Sequence, residues 1–262
     1  MADDVTGRAT SAVRPALLAL VLALGAASVE AAPEEIQVYL DDITAPGHVG
    51  LDVHNNFAVD SSRLPDYPGA RQGDDVYRLT PEFYYGLTPA LELGVYVLSA
   101  VDRGHAAHVD GEKLRLKFIA PHDDSRGAFW GVNLELGRSD RAVAEQPWNY
   151  ELKGIWGDRI GRWLVAFNVN EDASLSSHGE PATLEVDGKL AYRVTRETQL
   201  GIEAYSELGR LRSPGGLSGQ SEVLYAVLDG TFAGMELNAG IGRGLTAKSD
   251  GWVFKAVLGF HF

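Results

Sequence analysis

Apolar residues fall on every second position through the end of this chain. Trp252, Phe254, Ala256, Leu258, Phe260 and Phe262 share one parity, and Val253, Lys255, Val257, Gly259 and His261 share the other. A period of two is the signature of a β-strand with one greasy face and one wetter face. The same alternation recurs in eleven earlier stretches, at 49–59, 76–87, 91–101, 112–120, 128–137, 148–156, 163–170, 184–194, 199–208, 222–229 and 235–244. Leu114, Leu116 and Phe118 alternate with Lys113, Arg115 and Lys117, while Trp130, Val132, Leu134 and Leu136 alternate with Phe129, Asn133 and Glu135. No stretch between them carries the periodicity of an amphipathic helix. Twelve strands with one apolar face and one polar face predict an all-β chain.

The connectors sharpen that expectation. Long ones (61–74, 102–111, 138–147, 171–183, 209–221 and 245–250) alternate with shorter ones (88–90, 121–127, 157–162, 195–198 and 230–234). Short turns on one rim and longer loops on the other, with an even strand number, are the pattern of an up-and-down outer-membrane barrel. All five tryptophans, Trp130, Trp148, Trp156, Trp163 and Trp252, carry the apolar parity at or near strand ends. Tyr85 and Tyr192 sit similarly, as interfacial girdles do. The predicted fold is a transmembrane antiparallel up-and-down β-barrel of about 12 strands over residues 32–262. A mean hydropathy of −0.10 does not oppose it, since only alternate residues would meet lipid.

Residues 1–31 read as a secretory signal peptide. Arg8 and Arg14 precede the apolar run 16–27, and Val29-Glu30-Ala31 is an acceptable cleavage site. Residues 32–47 read as a short polar leader or first turn. A formal charge of −13 argues against a nucleic-acid partner, and the absence of cysteine excludes disulfides and thiolate-bound metals.

The chain resembles proteobacterial outer-membrane barrels in its apparent signal peptide, the Tyr-Gly-Leu-Thr-Pro-Ala-Leu-Glu-Leu-Gly hairpin at 85–94, the Lys-Leu-Arg-Leu-Lys-Phe run at 113–118 and the terminal Phe262. The hairpin in particular is similar to the phenol-degradation meta-pathway and transporter-like outer-membrane families. The resemblance implies passage of small molecules and no catalytic residues. It also implies outer-membrane lipid and lipopolysaccharide as surroundings, and the barrel-assembly machinery as a partner through the strand ending at Phe262.

The candidate functional residues are those on the polar parity. They comprise a basic ladder of Lys113, Arg115 and Lys117, then Glu135, Glu151 and Lys153, and a mainly acidic sector of Glu185, Asp187, Lys189, Arg193 and Glu203, extended by Glu222 and Glu236. Two readings stay open. Separated signs across a lumen would create a transverse field that selects a small polar solute. Alternatively, neighbouring strands pair these charges into ion pairs that fill a narrow, non-conducting barrel. An embedded lipid hydrolase would need a serine beside a histidine such as His54, and no serine is placed for it. His105 and His108 with Asp102 and Asp110 read as a solvated loop rather than a metal site. No cofactor is expected.

Overall fold

A computed structural model describes residues 35–61, 67–123, 126–176, 181–210 and 220–262. The signal-peptide expectation lies outside these residues. The twelve strands are β1 (Val49–Val59), β2 (Val76–Thr88), β3 (Leu91–Val101), β4 (Ala107–Ile119), β5 (Gly127–Ser139), β6 (Trp148–Ile160), β7 (Trp163–Ser174), β8 (Thr183–Arg193), β9 (Thr198–Arg210), β10 (Glu222–Phe232), β11 (Met235–Gly244) and β12 (Trp252–His261). Each pairs antiparallel with its sequence neighbours, and β12 pairs with β1 from Gly50↔His261 to Val59↔Trp252, closing the barrel. Closure leaves no strand edge unpaired, which a lipid-embedded sheet requires.

Most elements lie where the alternation puts them. The main difference is β4, which begins at Ala107, so residues 107–111 are strand and not loop. Its pairing with β3 shifts register between Leu98 and Ser99, and this bulge accommodates Asp110 between Val109 and Gly111. The β3–β4 connection therefore shrinks to residues 102–106, shorter than the β4–β5 turn, and the rim asymmetry fails there. Pro81, which lacks an N–H, falls where the β2–β3 ladder is interrupted between Leu79↔Ser99 and Glu82↔Tyr96.

The two parities separate cleanly. Leu114, Leu116, Val132, Leu134, Leu136, Leu152, Leu190, Ile202 and Phe254 stand exposed on the outside. Across the strands they form rows, such as Leu116–Leu134–Leu152. In water so many exposed apolar side chains would be unfavourable, and in a bilayer they are solvated. Aromatic residues cluster at the short-turn rim: Trp156 stacks on Phe167, and Trp163 meets Tyr192 edge-on at 4.9 Å. Trp148 and Trp252 stand at the long-loop rim, where β6 and β12 begin.

Candidate functional site

The interior is not an open polar lumen. Residues 35–45, read from sequence as a leader or first turn, run inside the barrel. Ile36, Val38 and Tyr39 are buried there. Their docking surface is an apolar patch on the otherwise polar face of the wall. Val38 and Tyr39 pack with Ile119, Phe129, Ile155, Leu164, Ala166 and Ala191, joined by Leu40 and Ile43. Ile36 packs with Ala58, Tyr225, Val227 and Val253. Wall glycines make room for the rings in this layer. A Cβ at Gly157 would lie 2.1 Å from the Phe129 ring, so only glycine lets that ring lie flat against β6.

Polar contacts fix the register of the segment. Asn168 on β7 grips the backbone of one residue on both sides: its Oδ1 accepts from Tyr39 N–H at 2.6 Å, and its Nδ2 donates to Tyr39 C=O at 3.0 Å. Lys255 Nζ donates to Ile36 C=O at 3.1 Å, and Thr44 N–H donates to Glu92 at 2.8 Å. Asp41 takes both terminal nitrogens of Arg159 and faces His122 Nε2 at 2.7 Å. Asp42 receives Lys117 Nζ at 2.8 Å. The segment then leaves along β2, where Gly47 N–H donates to Gly86 C=O at 2.9 Å.

Tyr39 is the hub. Its hydroxyl lies 2.6 Å from Glu35, 2.8 Å from the Tyr96 hydroxyl and 3.3 Å from Glu135, while Lys153 Nζ sits 4.2 Å over its ring. Burial, and then the Glu35 and Glu135 carboxylates, push its phenol above the ordinary value, so it remains a donor. The Arg115 guanidinium lies about 6 Å from the rings of Tyr39, Tyr84 and Tyr96, within cation–π range.

The wall's lysines and Arg115 are paired locally, so the expected basic ladder does not stand apart, while Glu185 and Asp187 of the acidic sector form no ion pair with a Lys or Arg among the described residues. Arg115 binds both Glu82 and Glu92, Lys117 lies 3.8 Å from Glu92, and Lys113 reaches Glu135 at 3.4 Å. On the other side Lys153 meets Glu151 at 3.0 Å, Asn170 donates to Asp187 at 2.8 Å, and Lys189 lies between Glu203 and Asp229 at 2.9 and 2.7 Å. Glu203 also binds Lys255. The reason is register: Arg115 pairs across the β3–β4 ladder with Gly94, beside Glu92 and within reach of Glu82, so sheet geometry brings opposite charges together.

Arg115, Lys117, Glu135, Lys153, Asp187, Lys189 and Glu203 are thus fully interior, whereas Lys113, Glu151 and Glu185 are part-exposed on the same face. Arg193 does not join them. It is exposed at the short-turn rim and donates to Gly161 C=O at 2.9 Å. Glu222 and Glu236 lie at strand ends, the latter 3.3 Å from His261. Of the loop residues considered as metal ligands, His108 bonds Asp102 at 2.9 Å, while Asp110 is taken by Arg71. His54 faces Glu82 at 3.4 Å and the Tyr96 ring; among the described residues no serine bonds it.

Glu82, Glu92 and Lys255 were absent from the expected set although all three carry the polar parity. Tyr39, Asp41 and Asp42 lie in no strand, and periodicity could not reveal them. Below the segment a vestibule of about 1020 Å³ opens at the short-turn rim, lined by residues 37–45 with Arg159, Arg196, Glu236, Asn238 and His261 among the wall residues.

No known protein family matches the chain by sequence, and no curated protein does. Solved structures that share the architecture include two outer-membrane barrels. An outer membrane channel from Pseudomonas putida F1 superposes with a TM-score of 0.58 at 14% identity, over 87% of this chain and 100% of the other. The NanC porin superposes with a TM-score of 0.52 at 9% identity, over 80% of this chain and 97% of the other. At these identities the likeness is one of fold.

Proposed function

We propose that this protein is a bacterial outer-membrane channel for small polar solutes, held closed by its own residues 35–45. The observation that carries the proposal is the mode of docking. The segment is not part of the sheet: apart from an isolated bridge between Pro46 and Gly86, it is held by side chains reaching from the wall. Such contacts release without breaking the barrel, and the vestibule gives the segment somewhere to move. The channel and the porin whose fold is similar support the same reading.

Behind the segment lies a mixed set of charges, with Arg115, Lys117 and Lys153 on one arc and Glu135, Asp187 and Glu203 between and beyond them. With the segment displaced, Lys117 loses Asp42 and Arg159 loses Asp41, so the exposed ring gains positive character. The open state therefore presents a lumen of mixed charge, suited to small polar solutes. The test is planar-bilayer conductance of the mature chain against a variant lacking residues 35–45. The wild type should conduct weakly, and the deletion should raise conductance. Absence of conductance from both, with folded barrel confirmed by heat-shifted gel mobility, would reject the channel reading. If the deletion fails to assemble, the paired substitutions Tyr39→Ala and Asp41→Asn serve the same test.

A further inference from the structure

One trio of side chains inside the barrel combines two carboxylates and an imidazole drawn from three separate parts of the chain. Glu35 of the docked segment, His54 of β1 and Glu82 of β2 each bring one potential ligand atom within 4.8 Å of the others. We infer that these three residues form a site for a first-row divalent cation of the zinc type, which ties the docked segment to the barrel wall.

Four features support it. The first is spacing. Tetrahedral zinc holds its donors 2.0–2.2 Å from the metal, which sets neighbouring donors about 3.3–3.6 Å apart. His54 Nε2 and Glu82 Oε2 are already 3.4 Å apart. Glu35 sits on a chain segment outside the sheet, and it is the ligand free to close the remaining gap.

The second is charge. Among the described residues Glu35 makes no ion pair with a Lys or Arg, and the Tyr39 hydroxyl bonds it at 2.6 Å. A part-buried carboxylate with a neutral donor alone is a costly arrangement unless a cation completes it. The third is the histidine. His54 is 1% exposed, its Nε2 makes only a long 3.4 Å contact to Glu82, and its Nδ1 makes no hydrogen bond, so the Nε2 edge of a fully buried imidazole is held by no short partner. Imidazole with carboxylates suits zinc, cobalt or iron, and disfavours calcium and magnesium.

The fourth is the support around the ligands. Glu82 divides its oxygens: Oε1 lies 2.9 Å from Arg115, and Oε2 faces His54. Glu35 is oriented by the Tyr39 hydroxyl, itself fixed by Tyr96. Ligating carboxylates are commonly held by such outer hydrogen bonds. Three protein ligands leave a fourth position for water. The inference rests on this geometry and stands whether or not the barrel conducts.

The test uses the full mature chain in detergent, stripped with chelator and titrated with zinc by calorimetry, with cobalt as a spectroscopic substitute. One zinc per chain should bind, and Glu35→Gln and His54→Gln should each weaken binding by about tenfold or more. Glu35→Gln alters no wall residue, so its effect cannot come from a misfolded barrel. Zinc should also slow amide exchange across residues 36–44 in the wild type and not in Glu35→Gln. No stoichiometric zinc in the wild type, or equal affinity in Glu35→Gln, would overturn the site. Zinc bound with no change in exchange at 36–44 would overturn the tie between segment and wall.

Discussion

Asn168→Ala is the sharpest probe of how the interior segment is held. The Asn168 amide satisfies both the N–H and the C=O of Tyr39, at 2.6 and 3.0 Å, and all three groups are buried. Alanine leaves two buried backbone groups without partners. Each costs about 1–3 kcal/mol, together about 2–6 kcal/mol. That penalty falls on the docked state alone, because a released segment finds water. At about 1.4 kcal/mol per factor of ten, the ratio of docked to released segment falls by about 30-fold at the low end and about 10⁴-fold at the high end.

Amide exchange over residues 36–44 reads this ratio directly, since the amides of Ile36 to Thr44 exchange through release. Asn149→Ala is the matched control: Asn149 bonds Gln146 C=O at the long-loop rim and touches nothing in the segment. The expected result is exchange at 36–44 faster by at least about 30-fold in Asn168→Ala, unchanged in Asn149→Ala, with strand amides protected in both. The same variant should spend more time in a conducting state. Exchange within about twofold of wild type would refute the reasoning, because it would mean that the Tyr39 backbone is not held by the wall.

Further predictions follow from other parts of the wall. A Cβ at Gly86 would lie 2.3 Å from the carbonyl oxygens of Thr44 and Ala45, so Gly86→Ala should unseat residues 44–48 and expose them to protease while the barrel stays heat-modifiable on gels. Leu134 lies mid-strand on the outer face, between Leu116 and Leu152. Leu134→Arg should therefore cost about 2–4 kcal/mol when folding is measured into lipid bilayers. Leu175→Arg, in the β7–β8 loop, should cost almost nothing; equal costs would remove the lipid-facing assignment. The Phe262 side chain is 72% exposed, while its backbone N–H donates to Val49 C=O at 2.9 Å. Phe262→Ala should leave the melting of the purified barrel unchanged and lower the amount assembled in cells, which is the expectation if assembly factors read this residue.

The strands were legible because the pleat obliges a half-buried strand to alternate, and here the alternation persists through ten or more residues in most strands. The ends were less so. β4 begins at Ala107 because a bulge at Asp110 reverses parity there, and a pattern search stops where parity breaks. Interior residues were legible as a class, since parity alone places Arg115, Lys117, Glu135 and Glu203 inside. Their pairing was not, because which carboxylate meets Arg115 depends on inter-strand register, which no single strand encodes. Arg193 shows the limit from the other side: it carries the interior parity, but at the last residue of β8 the lumen has already given way to the rim.

The docked segment left a trace in the strands rather than in itself. A water-filled lumen calls for polar residues on every interior position, yet Phe129, Ile155, Leu164, Ala166 and Ala191 are apolar and share the interior face, as do Tyr225, Val227 and Val253. An apolar patch facing an aqueous lumen is unfavourable by about 25 cal/mol for each Å² left wet. Two such patches, one on β5–β8 and the other on β1, β10 and β12, imply that something covers them. The alternating Ile36 and Val38, with Leu40 and Ile43, is the covering that the chain itself supplies, positioned just ahead of the first strand. Exceptions to the polar parity therefore report on what fills the barrel, as the rule reports on what surrounds it. Replacing Phe129 and Leu164 together by serine should release the segment without altering the outer face, and amide exchange at 36–44 would again register the loss. Protection that survives this double substitution would show that polar contacts alone hold the segment in place.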